Sequence, residues 1–149
     1  MTLLDEAIQL IKKHEGFSSE PYLCPGEVWT IGYGHTQGIT SYTYPISEDQ
    51  AELLLRDDIA AVEKIIRTYV SVPLTSEQYS ALVSFVFNIG EGNFRRSTLL
   101  RKLNAEDYTG AAGEFPRWIY AAGRRLKGLE KRRREERDLF LRNRSSGVP

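Results

Sequence analysis

One long run of helical periodicity constrains the fold of this chain more than any other feature. The segment "SEDQAELLLRDDIAAVEKIIRTYV", residues 47–70, keeps apolar side chains at helical spacing for about six turns. Ser47 can cap the start of this helix, and the acidic residues that follow suit its first turn. A helix of this length is suited to join a small acidic lobe of the chain to a larger helical lobe.

Helical patterns precede and follow this segment. In the first, Thr2 and Asp5 are the expected capping pair, and the apolar stripe leads onto Glu15 before Gly16 ends the helix. A carboxyl group at the end of an apolar stripe is partly withdrawn from water, which favours its protonated form. Further helices are expected at about residues 75–89, 97–104, 106–113 and 128–143.

Between the first helix and the long one, the pattern changes to a period of two. Residues 28–33 alternate in the manner of a strand, and Pro25-Gly26 predicts a turn with Gly26 at positive φ. A strict two-residue loop would pair Cys24 with Glu27, and type II turns splay the strands that they join. We therefore expect a wider loop or a bulge. Residues 40–45, "TSYTYP", are expected to form a loop or a short third strand.

The formal net charge is zero, but the charged residues are unevenly distributed. Residues 1–63 contain 3 Lys and Arg against 11 Asp and Glu, whereas residues 124–149 contain 10 against 4. The basic segment is either a solvated helix face or a surface that approaches an anionic polymer. Because the chain has neither aromatic platforms nor a helix-turn-helix spacing, nucleic acid is not an expected partner.

Several kinds of site find no support in the sequence. His14, Cys24 and His35 show no paired ligand spacing, so neither a metal nor another cofactor is expected. Motifs for a serine nucleophile or a phosphate-binding loop do not occur. The single cysteine excludes an intramolecular disulfide, and from this sequence we expect neither a signal peptide nor a segment that spans a membrane. We therefore expect a cytoplasmic protein without stable membrane insertion.

The segment "HEGF…PYLCPGEVWTIGYGHT" resembles the signature of the bacteriophage-type lysozymes, glycoside hydrolase family 24. In that family a glutamate ends the first helix, an Asp follows nine residues later and a Thr six residues after that. Glu15, Cys24 and Thr30 have these two spacings.

The resemblance extends over nearly the whole chain. "ISEDQAELLLRDDIAAVEKII" is similar to the long interlobe helix of the family, and "LTSEQYSALVSFVFNIGEGNFRRSTLLRKLN" to its core-helix signature. "W…AAGRRLKGLEKRRREE" resembles the closing segment, with Ala122 where the family usually has a second glycine. The chain is identified as a member of this family.

The resemblance implies an α+β, mostly helical, two-lobed lysozyme-like fold. Residues 1–149 would form a single domain whose small N-terminal lobe, with a β-hairpin or short sheet, covers about residues 15–60. The long helix would cover about 47–70, and the helical C-terminal lobe about 71–149 together with the first helix.

The same resemblance implies hydrolysis of the β-1,4 bond between N-acetylmuramic acid and N-acetylglucosamine in peptidoglycan, with Glu15 as the acid. We expect a monomeric phage or prophage endolysin that accumulates in the host cytoplasm, needs a holin to reach the cell wall, and lyses the cell. Two alternatives remain open. One is a catalytically silent peptidoglycan-binding or interaction module of the same fold, and the other is a lytic transglycosylase that uses Glu15 alone.

Cys24 departs from the commoner family pattern, which has Asp at this position. The first interpretation is that Cys24 acts as a thiolate base or nucleophile while Thr30 helps to hold the attacking water. The second is that Glu20 or Glu27 supplies a carboxylate from nearby. The third is that activity is lost and only glycan binding remains. We favour the first, because Cys at this position resembles a known variant within the family.

Alignment with the family also indicates roles for other residues. His35 is expected to pair with Asp58 in a structural role rather than a catalytic one. Four residues are expected to contact substrate, although core packing is nearly as good an interpretation of Phe87: Gly32, Thr36, Phe87 and Ser97. One or more C-terminal arginines could pair with Glu15 or steer the anionic polymer, the candidates being Arg124, Arg125, Arg132 and Arg133.

Overall fold

The computed structural model describes residues 2–142, in which helices dominate and the strands are short. The helices are α1 (Asp5–Glu15), α2 (Glu48–Tyr69), α3 (Ser76–Ile89), α4 (Glu91–Arg95), α5 (Thr98–Asn104), α6 (Tyr108–Ala112), a 3-10 helix (Phe115–Arg117) and α7 (Lys127–Leu141). The strands are β1 (Ser18–Leu23), β2 (Trp29–Gly32), β3 (Tyr120–Ala121) and β4 (Arg124–Arg125).

The long helix α2 forms where the periodicity predicts it. Ser47 Oγ accepts a hydrogen bond from the amide of Gln50 at 3.1 Å, and Gln50 Oε1 accepts one from the amide of Ser47 at 2.8 Å. This reciprocal pair satisfies two amides that the helix itself cannot bond. One face of α2 packs against β2 and against α3, so the helix connects the hairpin lobe to the helical lobe.

The hydrophobic core is centred on α3, which packs against α1, α2 and α7. Thr75 caps this helix and Gly90 ends it. The ring centroid of Phe85 on α3 lies 5.0 Å from that of Phe115, and the centroid of Phe115 lies 5.5 Å from that of Phe140 on α7. Both pairs are edge to face. Such pairs pack well because the edge of one ring meets the negative face of the other.

The start of α1 differs from the expectation. Its N-cap is Leu4, which makes no side-chain cap, so the predicted capping by Thr2 and Asp5 is wrong. The amides of Thr2 and Leu4 instead donate to the hydroxyls of Ser76 and Ser80 on α3, at 3.2 and 2.8 Å. A tertiary contact therefore replaces the local cap. At the other end, α1 stops at Gly16, as predicted.

Strands β1 and β2 form the expected hairpin, with Leu23 opposite Trp29. The amide of Glu27 donates to Cys24 O at 2.8 Å and the amide of Cys24 to Val28 O at 3.1 Å, which confirms a loop wider than two residues. Positive φ occurs at Glu27 (63°) and not at Gly26, so that prediction is wrong. A three-residue hairpin loop places its left-handed residue after the turn rather than within it. Residues 40–45 form a loop.

The sequence analysis missed three short elements, namely α4, the 3-10 helix and the hairpin of β3 and β4. The two strands are joined by Ala122 and Gly123, both at positive φ (50° and 77°), as a tight two-residue hairpin turn requires. The last helix, α7, begins one residue before the expected start and ends at Leu141. The predicted end at residue 143 lies outside the described residues.

Candidate active site

A cleft of about 790 Å³ lies between the β1–β2 hairpin and the helical lobe. Five of the predicted site residues line it: Glu15, Cys24, Thr30, Thr36 and Phe87. They come from the end of α1, the hairpin with the loop after it, and the end of α3. The C-terminal part of the cleft wall is formed by residues of the segment 118–126, which leads into α7, and by the first turn of α7. The fold thus gathers on one cavity residues that are up to 72 positions apart in sequence.

Glu15 is the last residue of α1, and its carboxylate is held from two sides. Arg132 Nη1 on α7 donates to Glu15 Oε2 at 2.6 Å, and the guanidinium is only 3% exposed. On another side lies Gly34 at φ 82°, where an added Cβ would come within 2.7 Å of the Glu15 carboxyl carbon. Among the four candidate arginines, Arg132 is therefore the partner of Glu15.

Arg132 is itself fixed by a buried polar network. Its Nη2 donates to Ser84 O at 3.1 Å and its Nε to Glu136 Oε2 at 3.2 Å, while Ser84 Oγ donates to the same Glu136 oxygen at 2.6 Å. Glu136 is fully buried, and Arg133 lies on its other side with Nε 2.8 Å from Oε1. Burial lowers the pKa of the Arg133 guanidinium, and the charge of Glu136 opposes this effect.

Cys24 and Thr30 lie on the hairpin wall of the cleft. Cys24 is half-buried and directly follows β1. Thr30 is 2% exposed, and its Oγ1 donates to Val28 O at 2.9 Å, which leaves the hydroxyl lone pairs as acceptors. Tyr22 lies opposite Thr30 in the hairpin. Burial raises the pKa of Tyr22, and the negative charges of Glu15 and of an ionised Cys24 raise it further.

A family model described as phage lysozyme matches residues 12–136, which include Glu15, Cys24, Thr30 and Arg132. The chain belongs to the phage lysozyme family.

Relatives and solved structures of this family cover almost the full chain. The chain is 46% identical over 144 residues to the endolysin of Acyrthosiphon pisum secondary endosymbiont phage 1, and the match covers 94% of this chain and 98% of the relative. The muramidase domain of SpmX from Asticaccaulis excentricus superposes with a TM-score of 0.84 at 34% identity, covering 95% of this chain and 99% of that domain. The endolysin from Escherichia coli O157:H7 phage FAHEc1 gives 0.80 at 31%, covering 95% and 94%.

These similarities confirm the lysozyme-like fold and the enzyme class expected from the sequence, a muramidase that acts on peptidoglycan. They do not favour a catalytically silent module. No helix within residues 2–142 of this lysozyme has both the length and the apolar composition needed to cross a bilayer. In the same range, no three His, Cys, Asp or Glu side chains are grouped so that they could hold a metal ion.

His35 and Asp58 lie beside the site but do not line the cleft of this lysozyme. His35 Nδ1 is 2.8 Å from Asp58 Oδ2, which ties the segment after β2 to α2. Burial raises the pKa of Asp58, and the hydrogen bond from His35 opposes that rise. The pair forms as the sequence analysis expected, and its structural role stays a prediction.

Two expected substrate contacts are not part of the cleft wall. Gly32 is buried at φ 64° against α2, where an added Cβ would lie 3.1 Å from Ala51 Cβ. Ser97 is 6% exposed because it caps α5, accepting from the amide of Leu100 at 3.0 Å and donating to Phe94 O at 2.7 Å. Gly32 thus serves packing and Ser97 serves capping, and their contact with sugar stays a prediction.

The second interpretation of the Cys24 position also lacks support. Glu20 and Glu27 are exposed and neither lines the cleft. Among the lining residues of the described chain, Glu15 is the sole carboxylate.

The sequence analysis did not assign His14 or the C-terminal wall to the site. His14 Nε2 lies 2.6 Å from Glu135 Oε1, while Lys13 Nζ binds the other oxygen of Glu135. Burial lowers the pKa of His14, and Glu135 opposes this effect. Trp118 and Tyr120 line the C-terminal part of the cleft wall. Their aromatic side chains, two residues apart before a tight turn, were the signal available in the sequence.

Proposed function

We propose that this chain is an endolysin that hydrolyses the β-1,4 bond between N-acetylmuramic acid and N-acetylglucosamine, with Glu15 as the general acid. The observation that carries this proposal is the position of Glu15 in the cleft, anchored through one oxygen to Arg132. Its other oxygen, Oε1, has no hydrogen-bond partner among residues 2–142 and is available to the glycosidic oxygen.

The contact between Arg132 and Glu15 suits an acid that becomes charged as it reacts. Protonated Glu15 gives its proton to the leaving oxygen as the glycosidic bond breaks, which leaves a carboxylate. Arg132 stabilises that developing charge from a fixed position, because Ser84 and Glu136 already hold its guanidinium. The transition state therefore gains stabilisation without rearrangement of the site.

For the second catalytic group we propose Cys24, with Thr30 as a positioning residue for water. As a base, the Cys24 thiolate takes a proton from water while the water oxygen bonds to the anomeric carbon. As a nucleophile, its sulfur bonds to that carbon and is later displaced by water. Support comes from the shared cleft, from the lack of a second lining carboxylate within residues 2–142, and from the free lone pairs of the Thr30 hydroxyl.

The biological setting belongs to the same proposal. Residues 1–149 act as a single lysozyme-like domain, with the hairpin lobe at about 15–60, the long helix at about 47–70, and the helical lobe at about 71–149 plus α1. The enzyme works as a monomer that gathers in the host cytoplasm and reaches the wall after a holin opens the inner membrane. Within the fold, His35 and Asp58 have a structural role, because their contact joins the hairpin lobe to α2.

The test is lysis and product analysis with matched variants. The wild type should clear suspensions of permeabilised Gram-negative cells and release products with a reducing end. Glu15→Gln should lower the rate at least about 100-fold. Glu20→Gln, an exposed carboxylate outside the cleft, should retain the rate of the wild type. Failure of the wild type to clear the cells would exclude the enzyme. Products that end in an anhydro-sugar would show that the reaction is transglycosylation through Glu15 alone and not hydrolysis.

A further inference from the structure

Tyr120 is an exposed aromatic residue inside the cleft. Its exposed fraction is 62%, and it lines the same cleft as Cys24 and Thr30. Two other tyrosines, Tyr42 (91%) and Tyr44 (86%), are more exposed still but lie outside the cleft. Single exposed aromatics are ordinary on protein surfaces. Tyr120 differs because it is an exposed aromatic side chain that also lines the cleft.

The hairpin that carries Tyr120 is anchored to the helix behind it. The amide of Leu126 donates to Ile119 O at 3.0 Å and so closes the base of the hairpin. On the second strand, Arg125 Nε donates to Glu130 Oε1 on α7 at 2.7 Å. A surface fixed in this way loses little conformational entropy when a ligand binds. The Tyr120 hydroxyl has no hydrogen-bond partner within residues 2–142, so it can bond to a ligand.

A chain of buried contacts sets the position of this hairpin relative to the acid. Arg133 Nη1 donates to Trp118 O at 3.3 Å, two residues before Tyr120. Arg133 also donates to Glu136 Oε2 at 3.2 Å, and the same oxygen accepts from Arg132, which binds Glu15. The reacting end of the cleft and the base of the hairpin are thus held by one network.

We propose that Tyr120 is a sugar-contacting residue whose ring stacks on a pyranose ring of the glycan strand while Glu15 acts on the scissile bond. The inference rests on the proposed function, since it assigns part of the same substrate. A pyranose presents C–H groups on its faces and hydroxyls around its edge. The exposed Tyr120 matches both, with its ring face and its unpartnered hydroxyl.

Binding and turnover are measured on glycan strands freed of stem peptides by an amidase, and on intact sacculi. Tyr120→Ala should raise KM, and the Kd measured in the Glu15→Gln background, roughly 3- to 10-fold. The value of kcat and the melting temperature should stay close to those of the parent, because the side chain is largely exposed. Tyr120→Trp should restore binding, and Tyr44→Ala, the matched control outside the cleft, should change neither constant.

An unchanged Kd for Tyr120→Ala on peptide-free strands would overturn the proposal. A weaker Kd on intact sacculi alone would also overturn it, because the contact would then be with the peptide. The Glu15→Gln background separates failure of this proposal from failure of the proposed function, because it measures binding of the strand without turnover. Strands that bind through Tyr120 but are not cleaved by the wild type would refute hydrolysis and leave the sugar contact standing.

Discussion

Arg132 Nη1 lies 2.6 Å from Glu15 Oε2 and thereby joins the last residue of α1 to α7, 117 positions later in the chain. The bond fixes the orientation of one carboxylate oxygen and leaves the other free. It also makes the acid dependent on every residue that holds Arg132.

Replacement of Gly34 should remove activity by displacing Glu15. In Gly34→Ala the new Cβ would lie 2.7 Å from the Glu15 carboxyl carbon, which forces the side chain to move. We expect kcat to fall about 100-fold, as for a displacement near 1 Å in other enzymes. The control is Gly38→Ala, which has a similar φ of 74°, and an added Cβ there would meet no atom of residues 2–142 within 4 Å. Equal loss of activity in both variants would show that backbone strain, not Glu15, is responsible.

Neutralising Glu136 should destabilise the fold. Glu136→Gln leaves Arg132 and Arg133, which are 3% and 1% exposed, without their buried counter-charge. We expect the free energy of unfolding to fall by about 3–5 kcal/mol at pH 7, measured by chemical denaturation. The neighbouring Glu135, 27% exposed, is the control, and Glu135→Gln should cost at most about 1 kcal/mol. Similar losses in the two variants would refute the buried network as a determinant of stability.

The role of Cys24 can be read from two substitutions in one assay. Cys24→Ser should lower kcat by at least about 100-fold, because a hydroxyl does not replace a thiolate as base or nucleophile. Cys24→Asp should retain measurable clearing, since a carboxylate can perform either role. Cys24 is half-buried, so both variants should fold, which circular dichroism checks. Full activity in Cys24→Ser would make the thiol a bystander.

The turn of the second hairpin carries a residue that is not suited to its conformation. Ala122 adopts φ 50°, in the left-handed region, where a side chain costs about 1–2 kcal/mol. Ala122→Gly removes that strain, and the greater freedom of glycine in the unfolded chain offsets part of the gain. We expect about 0.5–1 kcal/mol of net stabilisation by thermal or chemical denaturation. Gly123→Ala, at φ 77°, should change stability in the opposite direction.

The burial of His14 should make stability depend on pH. Burial lowers the pKa of His14 in the folded state below its ordinary value of 6.5. In the pH interval between these two pKa values, the unfolded chain therefore binds more protons than the folded chain. Stability therefore rises as the pH increases through the interval and levels off above about 6.5. His14→Gln keeps a donor for Glu135 but cannot titrate, so its stability curve should be flatter there. Parallel curves for the two proteins between pH 5 and about 7 would contradict this prediction.

Much of the fold could be predicted because local signals agree with the final structure. Ser47 and Thr75 cap their helices as their positions predict, and Gly16 and Gly90 end theirs. The expected cap at Thr2 failed because the amides there bind hydroxyls of α3, 74 residues or more away in the chain. The hairpin of β3 and β4 escaped prediction because two-residue strands have almost no periodicity to detect.

The candidate site also has a part that the sequence predicted and a part that it did not. The spacing of Glu15, Cys24 and Thr30 in one helix-to-hairpin segment indicated the hairpin wall, and all three line the cleft. Gly32 and Ser97 looked equally suitable in sequence, yet one packs against α2 and the other caps α5. Whether a residue faces the cleft or the core depends on how its helix or strand packs. Similarity to a motif does not predict that packing.

By itself, the sequence determined the helices with strong periodicity and caps, the β1–β2 hairpin, the family, and the reacting segment from Glu15 to Thr30. These depend on interactions between residues close together in the chain. Only the tertiary structure decided that Arg132, rather than Arg124, Arg125 or Arg133, binds Glu15, and that Trp118 and Tyr120 line the same cleft. Both outcomes depend on how α7 packs against α1 and α3. A charged side chain is stable in that buried interface only if a group of opposite charge or a hydrogen-bond partner lies next to it.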